Sequence, residues 1–264
     1  MKLFNRDIPV SRLPSLSVEV LRMLPASMQF REPLHIWKAY FRRCPPRGNF
    51  VDFRNGDRAW LSSNPDDIIS LVINFCRREY GPVPAGSAVV DIGANIGMYS
   101  LHACRSGASE VIAVEPVSDS AALLARNLEA FRERTRIQLI EKAVTSRQHT
   151  KAFLPKASSP YSRMDTESSS ARPGYSEVPS ITLDELIASC QSERVSILKL
   201  DCEGAEWDIF SDIDAATLKR VDAIRMELHS KKGKDPSSIL DRLDAAGFKI
   251  TAHNHMIYWL DRVA

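Results

Sequence analysis

Short apolar runs alternate with amphipathic segments along most of the chain, and this rhythm predicts a parallel β-sheet with helical crossovers. The runs SAVVDI, EVIAVE, RIQLIEKAV, VSILKLD and VDAIRMELH begin at residues 87, 110, 136, 195 and 221. Runs of this length are typical of strands that are buried on both faces. Helices are predicted after four of them, over residues 97–104, 118–131, 205–210 and 235–246. We therefore expect an α/β fold in which right-handed crossovers join the strands.

The C-terminal end of the chain predicts an antiparallel pair. FKITAH and MIYWLDRV flank Asn254-His255, where a turn between two strand patterns is predicted. The last strand is therefore expected to run antiparallel to the rest of the sheet. Gly247 is a plausible residue to end the preceding helix, because glycine readily adopts the left-handed conformation found there.

The N-terminal part has a different organisation. A helix is predicted over Leu16–Leu24, and a hairpin is predicted around Asn55-Gly56, which separates strand patterns at 49–53 and 59–61. A second helix is predicted over 66–79. The predicted division of the chain is an N-terminal extension with a hairpin and a helix over residues 1–80, followed by a main domain over residues 81–264.

One segment of the main domain lacks this periodicity. Residues 155–180 are rich in serine and proline and are predicted to form a long loop. Loops of this length in compact domains are usually functional or disordered, so we expect a lid near the site or a passive insertion. Immediately after the segment, Thr182 and Glu185 have the spacing of a capping box and predict the start of the next helix.

Charge and cysteine content limit the possible partners and locations. The net charge is +2, which argues against a nucleic-acid binder. Residues 1–60 carry 11 Lys and Arg against 5 Asp and Glu, so this region is either a solvated flank or a peripheral contact for an anionic partner or membrane surface. Five cysteines without CxxC spacing, no apolar leader and no apolar run of membrane-spanning length predict a cytoplasmic protein. The oligomeric state is not predicted.

The loop after the first apolar run carries the clearest binding signal. Asp91 ends the strand pattern, and Gly93, Asn95 and Gly97 follow before a predicted helix. Glycines allow a ligand to approach the backbone closely, as in dinucleotide sites. The spacing is not GxGxxG, and an acid at Asp91 would repel a pyrophosphate. It suits a ligand with a cationic amino group, such as S-adenosylmethionine.

A second acid extends this predicted cofactor site. Glu115 ends the next strand 24 residues after Asp91, where a carboxylate can accept hydrogen bonds from both ribose hydroxyls. Ala143 lies at the end of the third strand pattern, where a small side chain leaves room for an adenine ring. The predicted cofactor-binding residues are Asp91, Gly93, Ala94, Asn95, Gly97, Glu115, Pro116, Ala143 and Asp201.

Several blocks of the chain, in order, resemble the FkbM-type methyltransferases. The blocks are VVDIGANIGMYSL, VIAVEP, EKAV, ITLDEL, ILKLDCEGAEWDIF and RMELH. The resemblance implies a Rossmann-like class I methyltransferase fold with a seven-stranded, mostly parallel sheet. It also implies S-adenosylmethionine as the methyl donor and O-methylation of sugars or polyketide-like products. By position, Asp91, Gly93, Asn95 and Gly97 would surround the methionine part of the donor, and Glu115 would contact the ribose.

Ionisable residues cluster where the fourth and fifth apolar runs end. Ligands of open α/β sheets lie outside the carboxyl ends of the strands, so these side chains are expected to converge there. They are Asp201, Glu203, Glu206, Glu227 and His229, with Lys199 and Arg225 as possible ion-pair partners. Acids inside buried strands are costly unless they are paired, so a structural ion-pair network is the alternative.

Methyl transfer to a hydroxyl needs a base for the hydroxyl proton, and three of these residues are predicted to be catalytic. His229 is the first choice because imidazole has a suitable intrinsic pKa. Asp201 and Glu203 are the other candidates. A hard cation held by Asp201, Glu203 and Glu206 is a weaker alternative, and no metal is predicted.

Other functions fit the sequence less well. A nucleobase amino-methyltransferase would carry Asp/Asn-Pro-Pro-aromatic after the fourth strand, where this chain has Asp201-Cys202-Glu203-Gly204. A nicotinamide oxidoreductase would carry GxGxxG. A non-catalytic S-adenosylmethionine-binding protein would keep the glycine loop but not the acids. We predict an O-methyltransferase acting on a sugar or glycoconjugate hydroxyl, with a polyketide or lipid hydroxyl as the alternative acceptor.

Overall fold

The computed structural model describes residues 2–3, 6–7, 23–146, 152–155, 173–254 and 256–263. The chain divides into two compact units, Met1–Glu79 and Tyr80–Ala264. The helix predicted over Leu16–Leu24 lies mostly outside the described residues, of which 23–27 are helical. Within the part that the structure describes, no helix is both long enough and apolar enough to cross a membrane.

The described part of the N-terminal unit combines short antiparallel pairs with the helical residues 23–27 and two longer helices. Its strands are β1 (Lys2–Leu3), β2 (Arg6–Asp7), β3 (Phe50–Asp52) and β4 (Arg58–Trp60). Its helical segments are Pro33–Arg42, Asp66–Val72 and the π-helical turn Ile73–Arg77 that continues it. β3 and β4 pair antiparallel around Asn55-Gly56, so the predicted hairpin is confirmed. Its core is aromatic, with the rings of Phe30, Phe53 and Phe75 in mutual contact.

The C-terminal unit contains one large sheet and two short strand pairs. In chain order its strands are β5 (Ala88–Ile92), β6 (Glu110–Val114), β7 (Arg136–Ile140), β8 (Ala143–Thr145), β9 (Ala152–Pro155), β10 (Tyr175–Val178), β11 (Ser180–Thr182), β12 (Ile197–Leu200), β13 (Ala223–Glu227), β14 (Phe248–Asn254) and β15 (Ile257–Arg262). Its helices are Met98–Arg105, Ser118–Leu128, the 3-10 turn Glu129–Phe131, Leu183–Ser189, Glu206–Ile209, Ala215–Lys219 and Ser237–Ala245.

The seven-stranded sheet has the order β14-β15-β13-β12-β5-β6-β7. β5, β6, β7, β12 and β13 are parallel, whereas β15 pairs antiparallel with both β13 and β14. The predicted α/β class, the mostly parallel sheet and the antiparallel last strand are therefore confirmed. Every residue of β5, β6 and β12 is buried, which explains why their sequences are continuous apolar runs rather than alternating ones.

Three local predictions need correction or completion. The single strand expected over 136–144 is divided into β7 and β8, because β8 leaves the large sheet and pairs parallel with β11. Part of the loop expected over 155–180 is strand, since β10 pairs antiparallel with β9; residues 156–172 lie outside the described residues. The strand expected to include His229 ends at Glu227.

The predicted capping box is present. The Thr182 hydroxyl accepts a hydrogen bond from the Glu185 backbone N–H, and the Glu185 carboxylate accepts one from the Thr182 N–H. This reciprocal pair satisfies two backbone donors at the start of the helix Leu183–Ser189. The capping box therefore defines the direction in which the chain enters this helix. The apolar side chains of the helix join the core beside the sheet.

Candidate active site

The loop between β5 and the helix Met98–Arg105 is shaped by positive backbone angles. Gly93, Asn95 and Gly97 have φ values of 71°, 50° and 84°. A Cβ atom at Gly93 would lie 1.9 Å from the backbone oxygen of Asp201, and one at Gly97 would lie 2.4 Å from Leu124 Cδ1. The first contact is with backbone, which cannot move aside like a flexible side chain. Glycine is thus required at position 93 for the loop to lie against the end of β12.

Glu115 holds the far side of this loop. Its carboxylate accepts hydrogen bonds from the backbone N–H groups of Asn95 and Val117, each at 2.9 Å. Burial raises the pKa of Glu115 to about 7, although these two hydrogen bonds act in the opposite direction. Each carboxylate oxygen keeps a lone pair for a further donor, so the group can still accept hydrogen bonds from ligand hydroxyls.

A pocket opens between the ends of β5, β6 and β12. The residues that line it are Ile92, Gly93, Asn95, Val114, Glu115, Pro116, Val117, Lys142, Val144, Leu154, Asp201, Cys202 and Glu203. The predicted site residues Gly93, Asn95, Glu115, Pro116, Asp201 and Glu203 are therefore brought together. The pocket wall does not include Asp91, Ala94, Gly97 or Ala143. Val144, the residue after Ala143, lines the pocket in its place.

Asp91 is buried in the core of the C-terminal unit and does not line the pocket. Its side chain is fully buried and forms an ion pair with Lys199 at 3.0 Å, and it accepts a hydrogen bond from the Ser100 hydroxyl at 2.7 Å. Lys199 Nζ also donates to the backbone oxygen of Gly93 at 3.0 Å. Burial acts to lower the pKa of Lys199, but the carboxylates of Asp91 and Asp201 raise it overall. Lys199 thus remains charged beneath the glycine loop.

Asn95 presents an unusual polar atom in the loop. Its side-chain oxygen is buried and has no hydrogen-bond partner among the described residues. A buried acceptor without a partner is costly, so its presence in a pocket wall suits a ligand with hydrogen-bond donors. Together with the glycine cradle and the Glu115 carboxylate, this atom fits a ligand that carries a cationic amino group and ribose hydroxyls.

Two carboxylates meet at the ends of β12 and β13. The Tyr80 hydroxyl lies 2.9 Å from Asp201 Oδ2 and 3.1 Å from Glu227 Oε2. Lys199 Nζ is 3.8 Å from Asp201. Burial, followed by the nearby charge of Asp201, raises the pKa of Glu227 to about 7. The predicted convergence of acids at this edge is thus present, and a tyrosine that the motifs did not indicate connects two of them.

His229 is surrounded by carboxylates. Its Nδ1 lies 3.2 Å from Glu206 Oε1, and its Nε2 lies 3.6 Å from Glu203 and 3.8 Å from Glu227. Burial acts to lower the pKa of His229, but Glu206, Glu203 and Asp201 raise it to about 9. The ring therefore carries a proton on both nitrogens at pH 7, a state in which it can donate hydrogen bonds but cannot accept a proton.

The other expected ion-pair partner of the acids lies elsewhere. Arg225 forms an ion pair with Asp261 of β15 at 2.8 Å, and its guanidinium lies over the ring of Trp259. It therefore connects β13 to the antiparallel strand β15. It does not neutralise the acid cluster, which consists of Asp201, Glu203, Glu206 and Glu227. This placement follows from the register of the sheet, in which Arg225 of β13 lies opposite Trp259 of β15.

The residues that could hold a metal differ from the set that the sequence offered as an alternative. Asp201, Glu227 and His229 each place one ligand atom within 4.8 Å of the others. Glu206, which was considered with Asp201 and Glu203, instead accepts a hydrogen bond from the Cys202 backbone N–H at 3.0 Å. Glu206 therefore supports the turn after β12 from a fully buried position.

Comparison with known proteins identifies relatives of the C-terminal part. The Methyltransferase FkbM domain family matches residues 91–260. The AMB antimetabolite synthetase AmbE of Pseudomonas aeruginosa is 25% identical over 243 residues, which cover 76% of this chain and 11% of the synthetase. Methyltransferase 1 of Beauveria bassiana is 24% identical over 200 residues, which cover 65% of this chain and 76% of that protein.

One solved structure to which this chain is similar is that of a methyltransferase that carries the name FkbM. The crystal structure of Methyltransferase FkbM from Methylobacillus flagellatus has a TM-score of 0.49 and 11% sequence identity with this chain. The match covers 94% of this chain and 60% of that one. The chain thus spans about a tenth of the synthetase's length and less than two thirds of this solved chain.

Proposed function

The chain belongs to the FkbM methyltransferase family and uses S-adenosylmethionine as its methyl donor, and on this premise we propose that it methylates a hydroxyl oxygen of a sugar or glycoconjugate. The observation that carries the proposal is the position of Asp201. This carboxylate lines the pocket beside the glycine loop and belongs to the acid cluster at the end of β12. A hydroxyl held by the cluster therefore lies next to the donor pocket.

The pocket residues supply the binding groups for the donor. Gly93 would let the donor approach the backbone, with Ala94 and Gly97 shaping the loop from outside the pocket wall, and the Asn95 side-chain oxygen would accept a hydrogen bond from the amino group. Glu115 would accept hydrogen bonds from the ribose, next to Pro116, while Val144, which follows Ala143, would border the adenine. Asp91 acts from behind the loop, because its ion pair with Lys199 fixes the cation that donates to the Gly93 oxygen.

The acid cluster supplies the proton acceptor. When bound, S-adenosylmethionine provides an electrophilic methyl carbon, and the new O–C bond forms as the S–C bond breaks. The acceptor hydroxyl loses its proton in this step, and a carboxylate of the cluster takes it up. A placed base typically accelerates such a step by about 10²–10⁴-fold. Asp201 is the proposed base, because it borders the donor pocket, and Glu203 lines the same wall.

His229 has a different role in this proposal from the one first predicted. With its pKa raised to about 9, its ring is already protonated at neutral pH and cannot serve as the base. It instead donates a hydrogen bond to Glu206 and balances the charge of the surrounding carboxylates. His229→Ala is expected to lower turnover with little change in donor affinity. Turnover by this variant that equals the wild-type rate would remove His229 from the catalytic machinery.

The polar character of the cluster supports a polyol acceptor. Carboxylates and an imidazolium at one edge offer several hydrogen-bonding groups to a sugar, whereas a lipid or polyketide hydroxyl would favour an apolar wall. The test is methyl transfer from radiolabelled S-adenosylmethionine into a fractionated extract of the source cells. Label in saccharide or glycolipid fractions supports the proposal. Label in an apolar small-molecule fraction supports the alternative acceptor. No label, with donor binding intact, supports a non-catalytic binding protein.

The basic N-terminal unit is the proposed contact for an anionic phospholipid surface. Arg31, Lys38, Arg42 and Arg47 line one groove of about 820 Å³. In the described part of this unit, their charged groups make no hydrogen bond or ion pair, so they are available to an external anion.

Binding to lipid vesicles tests this contact. Co-sedimentation with vesicles containing anionic phospholipid should exceed that with neutral vesicles, and the charge reversal R42E/R47E should abolish the difference. K232E/K234E, which changes the net charge equally in the other unit, is the control. Equal sedimentation with both kinds of vesicle would reject the contact.

A further inference from the structure

We infer that Tyr80 is a positioning residue for the methyl transfer, whose hydroxyl holds the carboxylates of Asp201 and Glu227 together at the carboxyl edge of the sheet. This inference rests on the proposed function. Tyr80 precedes β5 in the chain and belongs to none of the blocks that resemble the family. Its hydroxyl lies within hydrogen-bond distance of both carboxylates, 121 and 147 residues away in the sequence.

The tyrosine is fixed by its surroundings. Only 4% of the residue is exposed, and its ring packs edge-on against Tyr99 with centroids 5.6 Å apart. The ammonium group of Lys199 lies 5.4 Å from the centre of the ring. A buried ring held on two sides defines the position of its hydroxyl, and a hydroxyl shared by two acids defines their separation.

The charges around the hydroxyl make it a permanent donor. Burial and the two neighbouring acids raise the pKa of Tyr80 well above 10, so its proton stays in place at neutral pH. The groups that face this point are Asp201 and Lys199 from β12, and Glu227 and His229 from the end of β13. A hydroxyl group has one proton and donates a hydrogen bond to one carboxylate at a time, so the two acids share this donor.

This arrangement stabilises two adjacent carboxylates in their ionised form. Like charges at such close distance repel, and this repulsion contributes to the raised pKa of Glu227. A hydrogen bond from Tyr80 favours the ionised state and opposes that effect. In the proposed step, the acceptor proton passes to Asp201 while the O–C bond forms. Without the hydroxyl, the separation of the two carboxylates would no longer be fixed, and Asp201 would lose its defined position beside the donor pocket.

The test replaces Tyr80 by phenylalanine, which keeps the ring and removes the hydroxyl. Tyr99→Phe is the matched control, because Tyr99 is equally buried and its hydroxyl has no hydrogen-bond partner among the described residues. The first measurement is the crystal structure of the wild type and of each variant, in which the distance between the Asp201 and Glu227 carboxylates is compared. It needs neither donor nor acceptor, so its result is independent of the proposed function.

The inference expects the Asp201 and Glu227 carboxylates to move apart in Y80F and to keep their separation in Y99F. With an acceptor from the labelling experiment, kcat of Y80F should fall about 10- to 100-fold. Donor affinity measured by calorimetry should be unchanged. An unchanged separation of the two carboxylates in folded Y80F would overturn the inference. A changed separation without any methyl transfer would leave the positioning intact and reject the proposed reaction.

Discussion

Replacing Lys199 by methionine removes the cation that neutralises Asp91 inside the C-terminal unit. Methionine is similar in length and apolar, so the substitution preserves most of the packing and deletes the charge. Asp91 would keep only the hydrogen bond from Ser100 while remaining fully buried. The Gly93 backbone oxygen would also lose its donor.

The expected cost is large because both members of the ion pair are buried. The side chains of Lys199 and Asp91 are 4% and 0% exposed, so solvent screens the pair very little. Breaking a buried pair by removing one partner typically costs about 3–5 kcal/mol. The whole free energy of unfolding of a domain is about 5–15 kcal/mol, so K199M should lose a substantial part of its stability.

Hydrogen–deuterium exchange of peptides from β5 and β12 is the appropriate assay. Both units contain tryptophans, so fluorescence would mix their transitions, whereas exchange reports each strand separately. K199M and Asp91→Asn should each accelerate exchange in these strands. The double variant K199M/D91N should exchange more slowly than K199M, because it contains no uncompensated charge.

The double variant also decides whether the reasoning is correct. If its destabilisation equals the sum of the two single effects, the two residues are not energetically coupled and the ion-pair argument is refuted. A matched control is Lys249→Met, since Lys249 pairs with Asp244 at 2.6 Å on an exposed surface. Exposed pairs contribute about 0–1 kcal/mol, so this variant should be close to wild type.

Three further predictions concern the pocket and the acid cluster. Gly93→Ala should weaken donor binding at least about tenfold by calorimetry, because an Ala in the left-handed conformation costs about 1–2 kcal/mol even before its Cβ clashes with Asp201. Gly86→Ala is the control, because Gly86 also has a positive φ but a Cβ there would meet no atom within 4 Å, so this variant should bind the donor normally. Donor affinity of the wild type should rise between pH 6 and pH 8 as Glu115 ionises around pH 7, and Glu115→Gln should bind more weakly with no such rise. The raised pKa of His229 stabilises the folded protein by up to about 3 kcal/mol; this stabilisation is complete below pH 6.5 and is lost as the pH rises through 9. In denaturant titrations, H229Q should therefore be less stable than the wild type at pH 6 and equally stable at pH 10. A loss of stability that is the same at both pH values would contradict this linkage.

The sheet could be predicted from the sequence because its strands are buried on both faces. Continuous apolar runs such as AVVDI leave few alternatives, and the turn residues at the C-terminal hairpin give the direction of the last strand. The division of 136–145 into β7 and β8 could not be predicted. Both strands are short and β-forming, and only the partner strand β11, far along the chain, separates them.

The site was predictable as a location but not as a set of contacts. Strand ends determine that Asp201 and Glu227 meet, whereas nothing near Tyr80 in the sequence indicates that its hydroxyl reaches them. The orientation of Asp91 towards Lys199 likewise depends on strand register, which places the two residues side by side. The charge of His229 depends on three carboxylates of one segment after β12, more than 20 residues earlier in the chain, so its intrinsic pKa was a poor guide.

The serine-rich segment lies in the chain between strand pairs that do not belong to the seven-stranded sheet. β8 pairs with β11, and inside them β9 pairs with β10 in a register that joins Pro155 to Tyr175. In the sequence, the serine-rich residues thus lie between the paired strands β9 and β10, and Leu154 of β9 lines the donor pocket. Since the entropy of closing a loop grows slowly with its length, an insert of another length or composition could be exchanged there with little cost to folding. The connection between β9 and β10 is in this respect exchangeable, while the residues that line the donor pocket stay the same.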